Sequence, residues 1–151
     1  MKILLRFVLR FAFVVAGWCA FAPAYAQLSI DIVGGGATTI PIAIVPFGSE
    51  SSFPLGITGV IGADLARSGL FKLVDPGSAS ATRAEDVRFA DWTGRGADAI
   101  VVGNMATLPD GRIEVRFVLL DAVKRTQLAS FTYVVTAAQL RPTAHRIADV
   151  I

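Results

Sequence analysis

Few residues in this chain are of a type that does chemistry. His145 is the one histidine, and it lies among Arg141, Arg146 and Asp149 on a stretch with helical spacing. That setting fits a surface or helix-capping residue better than a catalytic base. Cys19 is the one cysteine, and it falls in the N-terminal apolar run discussed below. A histidine-rich zinc site and a Cys-His nucleophile pair are therefore both excluded. The carboxylates Asp64, Asp75, Asp98 and Asp121 recur near element ends, where capping and turn formation account for them. Gly34-Gly35-Gly36 and Gly94-Arg95-Gly96 invite comparison with phosphate cradles. Neither has the spacing of a dinucleotide or Walker loop leading into a helix, so hinge and turn are the better readings. Phe89 and Trp92 stand among arginines, an arrangement read as an arginine-covered aromatic lid on a sheet. Nothing here signals catalysis, a cofactor or a metal.

The elements that would position these residues begin with a leader. Met1 to Arg10 carries Lys2, Arg6 and Arg10 without an acidic residue, and Phe11 to Phe21 is almost unbroken apolar sequence. Pro23 and the small-residue signature Ala24-Tyr25-Ala26 follow. This is the pattern of a secretory signal peptide cleaved after Ala26. A membrane-spanning helix needs about 20 apolar residues, and Pro23 ends the run too early. Cys19 follows Trp18 rather than a small residue, which excludes a lipid-attached cysteine. Three of the fourteen basic residues leave with the leader, so eleven remain against twelve acidic ones, a net charge of −1. The processed chain has no cysteine for a disulfide. It also has no polybasic footprint for nucleic acid or anionic lipid, and no stable membrane insertion is expected after cleavage.

Processing would leave Gln27-Leu28-Ser29-Ile30-Asp31-Ile32-Val33 as the new N-terminus, followed by Gly34, Gly35 and Gly36 as a hinge. Leu28, Ile30 and Ile32 face one way and Ser29, Asp31 and Val33 the other, which is strand alternation. A terminal strand with free backbone groups behind a glycine tether can serve as an edge strand or add to a partner's sheet. Downstream, Pro41 to Phe47 is apolar on both faces of the pleat and reads as a buried strand. Ile57, Val60, Ile61 and Leu65 recur at helical spacing up to Ser68-Gly69, a left-handed cap signal. Leu70 to Val74 reads as a short strand, and one helical turn is expected near Val87 to Trp92. Ala97 to Ala106, Arg112 to Leu119 and Leu128 to Val135 read as a meander with a hairpin at Pro109-Asp110-Gly111. Thr136 and Gln139 fit a capping box. Pro142 should then make the last helix kink or restart. Leu140, Ala144, Ile147, Ala148 and Ile151 share one helical stripe that is still running at the final residue, as expected of a piece of something longer. The fold class is α+β: a mixed sheet of five or six strands with two main helices packed on it. The expected organisation is residues 1–26 as signal peptide, 27–36 as strand and hinge, and 37–151 as the folded domain.

Several motifs agree in order and spacing with one family. Leu28-Ser29-Ile30-Asp31-Ile32, Pro41-Ile42-Ala43-Ile44-Val45-Pro46-Phe47, Ala63 to Phe71, Ala97 to Gly103, Pro109-Asp110-Gly111 and the terminal helix together resemble the N-terminal domain of TolB, the periplasmic family of the Tol-Pal system. The resemblance implies a non-enzymatic protein without cofactor, whose second domain, a β-propeller absent from this sequence, binds Pal and is used by some colicins. It implies a role in outer-membrane integrity and in constriction during division. It further implies that Gln27 to Val33 bind TolA, a contact linked to Pal binding. Two other readings stand beside it. One is a periplasmic small-ligand-binding or enzyme-accessory domain using the loop Gly48 to Pro54 and the Phe89/Trp92 region. The other is a purely structural envelope module with the strand fixed in the sheet.

Overall fold

The computed structural model describes residues 39–151. Five strands form one mixed sheet: β1 (Ile40–Ile44), β2 (Phe71–Val74), β3 (Ala99–Thr107), β4 (Ile113–Asp121) and β5 (Thr126–Val135). Their spatial order is β2-β1-β3-β4-β5. β1 runs parallel to both β2 and β3, whereas β3, β4 and β5 form an antiparallel meander. The parallel neighbours of β1 are reached through helical crossovers, because a parallel pair cannot be closed by a tight turn. These are α1 (Ile57–Ser68) before β2 and the short α2 (Phe89–Gly94) before β3. The third helix, α3 (Leu140–Val150), follows β5.

The alternation of each strand divides the apolar side chains between two layers. Ile42, Ile44, Val101, Val115 and Phe117 point to one face, where Ile57, Ile61 and Leu65 of α1 meet Leu140, Ala144 and Ile147 of α3. Ala43, Val45, Ile100, Val102 and Leu120 point to the other, covered by Val87, Trp92 and Ala97. Residues Ile42 to Val45 are buried without exception, as the uninterrupted apolar run requires of a strand covered on both sides. β4 alternates instead: Ile113, Val115 and Phe117 are buried while Arg116 is exposed. The α+β architecture with two main helices on a mixed sheet thus stands, with five strands among the described residues. The sixth candidate, Leu28 to Val33, lies outside them.

Local signals end the elements where the sequence places them. Gly69 closes α1 in the left-handed region at φ 73°, with its N–H donating to the Ala66 carbonyl, a conformation that glycine adopts without steric cost. The Thr136/Gln139 capping box forms, but it opens a 3-10 turn over Ala137–Gln139. The α-helix restarts at Leu140 and puts Pro142 in its first turn. There the missing N–H has no intrahelical partner to lose. The helical turn expected near Val87 to Trp92 resolves into a 3-10 turn at Ala84–Asp86 and α2 at Phe89–Gly94.

Candidate functional site

The residues singled out for partner binding, Gln27 to Val33, lie outside the described residues. So do the hinge Gly34, Gly35 and Gly36 and the cleavage signature Ala24 and Ala26. What the structure does show is how the rest of the chain uses its polar and aromatic groups.

The loop Gly48 to Pro54 anchors a helix. Gly56 at the start of α1 has no side chain to cap it, and Glu50 reaches across to do so. Its Oε2 accepts from the Thr58 backbone N–H at 3.1 Å and from Thr58 Oγ1 at 2.8 Å. Thr58 Oγ1 in turn accepts from the Phe47 N–H at 3.1 Å. A carboxylate at a helix N-terminus satisfies an orphan donor and complements the helix dipole. The loop's one charged side chain is therefore engaged with the fold.

Trp92 is 4% exposed and forms the centre of the second apolar layer. Arg95 lies over its ring with the guanidinium carbon 5.4 Å from the centroid and donates through Nη1 to the Pro76 carbonyl at 2.7 Å. Beside it is a polar recess of about 380 Å3 lined by Ser78, Ser80, Asp86, Arg88, Asp91 and Arg95. Its charges are matched locally: Arg88 pairs with Asp91 at 3.0 Å and Asp86 with Arg83 at 3.0 Å. Trp92 is a core residue covered by an arginine, as its spacing suggested. Among the described residues no group of three or more His, Cys, Asp or Glu side chains could hold a metal ion.

The carboxylates divide by role. Asp75 accepts from the Gly77 N–H, and Asp121 from the N–H groups of Val123 and Lys124, which are the expected turn contacts. Asp64 corrects the expectation of an end-of-element role. It lies inside α1, pairs with Arg67 at 2.9 Å and accepts a hydrogen bond from His145 Nδ1 of α3. The His145 hydrogen bond is the main cause holding the Asp64 carboxyl below its ordinary pKa, and the charges of His145 and Arg67 act in the same direction. His145 is thus a tie between the two main helices. Sequence spacing could not reveal it, because its partner lies on another element.

A further feature is apolar. A groove of about 470 Å3 lies between β2 and α1, lined by Ile44, Gly59, Gly62, Leu73 and Pro76 among others. It exists because α1 turns small residues toward β2.

Residues 28–128 match the TolB amino-terminal domain. The chain belongs to the TolB amino-terminal domain family. It is 55% identical over 126 residues to the Tol-Pal system protein TolB of Nitrosomonas europaea, covering 83% of this chain and 30% of that protein. It is 46% identical over 150 residues to the protein of the same name from Thiobacillus denitrificans, covering 98% of this chain and 35% of the relative. The crystal structure of TolB from Acinetobacter baumannii superposes with a TM-score of 0.59 at 28% identity, over 74% of this chain and 27% of that one. The chain therefore spans about a third of the length of the TolB relatives it matches. The α+β sheet with its two main helices is the fold shared with that TolB structure.

Proposed function

We propose that this chain is the N-terminal, non-catalytic part of a periplasmic Tol-Pal component, and that its processed N-terminal strand, Gln27 to Val33, binds TolA by strand addition. The observation that carries this reading is the family match, which starts at Leu28 and so includes the strand within the domain. The relatives' shared name, Tol-Pal system protein TolB, supplies the system. Export by a leader cleaved after Ala26 would deliver the protein to the periplasm. Among the described residues no helix is long and apolar enough to cross a membrane. Binding of Pal and a part in outer-membrane integrity and constriction belong, in this reading, to the longer protein.

The ligand-binding alternative rests on the Gly48 to Pro54 loop and the Phe89/Trp92 region. Glu50 is committed to α1, Trp92 to the core and the neighbouring arginines to local partners. No observation there favours it. The test is deletion of Gln27 to Val33 from the processed chain, read by calorimetric titration with purified TolA and by circular dichroism. The expected result is loss of binding with an unchanged melting curve. Undiminished binding would remove the proposal.

A further inference from the structure

Among the described residues the sheet has two free edges, β2 and β5, and only one of them carries the usual protection. Natural sheets blunt exposed edges with short strands, lysines, prolines or inward charges, because a row of unpaired N–H and C=O groups is a template for another strand. β2 is four residues long, contains Lys72 and runs into Asp75-Pro76-Gly77. β5 is ten residues long, Thr-Gln-Leu-Ala-Ser-Phe-Thr-Tyr-Val-Val, with no charged residue and no proline. Its inner partner β4 is in register with it from Asp121↔Thr126 to Ile113↔Val135, with one bulge between Leu119 and Leu120.

Both faces of this edge are partly uncovered. On the helix side, Phe131 and Tyr133 stack on Phe117 at centroid distances of 5.8 and 6.4 Å. Phe131 nonetheless remains 44% exposed. Leu128 and Val134 are 57% and 43% exposed. An added strand with alternating apolar side chains would cover these groups and pair the free backbone together.

Charge decides what kind of strand fits. Arg125 immediately precedes β5, and Arg141 follows it in the first turn of α3. Both are exposed, and neither makes an ion pair among the described residues. By contrast Glu114 on β4 is paired with Arg116, and Asp121 is held by the turn at the start of β5. An antiparallel pairing of β5 with a second copy would set the Arg125 end of one strand against the Arg141 end of the other, cation toward cation. A strand bearing acidic residues at its ends would meet arginines instead.

We propose that the free edge of β5 is a docking site for an extended segment of another protein, apolar in alternation and acidic at its ends, added as a further strand of the sheet. Its residues, Thr126–Val135, are different from Gln27 to Val33, so it would give the protein a second protein-binding element.

The experiment follows amide hydrogen exchange in the full chain and titrates a synthetic peptide that alternates valine with threonine and carries glutamate at each end. The expected result is slowed exchange confined to Thr126–Val135. A version of the peptide with lysine ends should bind about tenfold more weakly, since two surface ion pairs are replaced by repulsions. Arg125→Glu combined with Arg141→Glu lies outside the core, and should reverse the preference between the two peptides. The proposal is overturned if neither peptide slows exchange in β5, or if both bind equally. It is also overturned if exchange in β5 is already slow before peptide is added, whether in this chain alone, in a dimer detected by sedimentation, or in a longer protein.

Discussion

Ile147→Ala probes the contact that closes the main apolar layer. Ile147 is fully buried in α3 and belongs to the same cluster as Ile57, Ile61 and Leu65 of α1 and Leu140 and Ala144 of its own helix. Truncation removes three carbon atoms, about 0.8 kcal/mol each by transfer. Because the site lies between two helices and the sheet, collapse is incomplete and a cavity term adds, giving about 3 kcal/mol in total. Against a typical domain stability of about 5–15 kcal/mol, that lowers the ratio of folded to unfolded chains by about a hundredfold. Urea unfolding followed by circular dichroism should show the midpoint falling with an unchanged slope. Val150→Ala on the same helix, 39% exposed, should cost about 0.5 kcal/mol or less. A loss below about 1 kcal/mol at Ile147, or an equal loss at Val150, would refute the claim that α3 seals this layer.

Two other outcomes follow from the packing and from the helix tie. A Cβ added at Gly103 would come closer than 3.0 Å to the Phe47 ring and to the Arg116 backbone oxygen. Gly103→Ala should therefore cost about 1–3 kcal/mol by overpacking, and an unchanged thermal midpoint would show that β3 can shift to make room. The lowered pKa of Asp64 has a definite sign. A carboxyl depressed in the folded state contributes stability above its unfolded value, about 3.9, and that contribution is lost as the pH falls through the lower folded value. Breaking the tie with His145→Ala should therefore move the acid-unfolding midpoint to higher pH, and an unmoved midpoint would show that the tie contributes nothing to acid resistance.

The parts of the fold legible in the sequence are those governed by local periodicity. The two-faced apolar run of β1, the alternation of β4, the Gly69 cap and the Thr136/Gln139 box each depend on residues within a turn or a strand of one another, and each is found. Pro142 left a kink or a restart open, and the restart follows from placing proline where a helix has a donor to spare. What the pattern could not supply is long-range pairing. The order β2-β1-β3 depends on which crossover packs where. Glu50 reads as a loop charge until Thr58 is seen beside it, and Asp64 and His145 are 81 residues apart in the chain. The uncharged composition of β5 was visible, but its meaning as an unguarded edge depends on knowing that no sixth strand covers it among the described residues. The candidate partner-binding strand was found by alternation and by its glycine tether alone, and its role rests on the family to which the chain belongs.

The proposed TolA-binding element is the N-terminal strand by itself. Its most direct measurement is fluorescence anisotropy of a labelled peptide spanning Gln27 to Gly36, titrated with purified TolA and compared with the processed chain. The peptide is expected to bind at least as tightly as the whole domain, and exchanging Ile30 for aspartate to abolish binding. A peptide that fails to bind while the processed chain binds would contradict it.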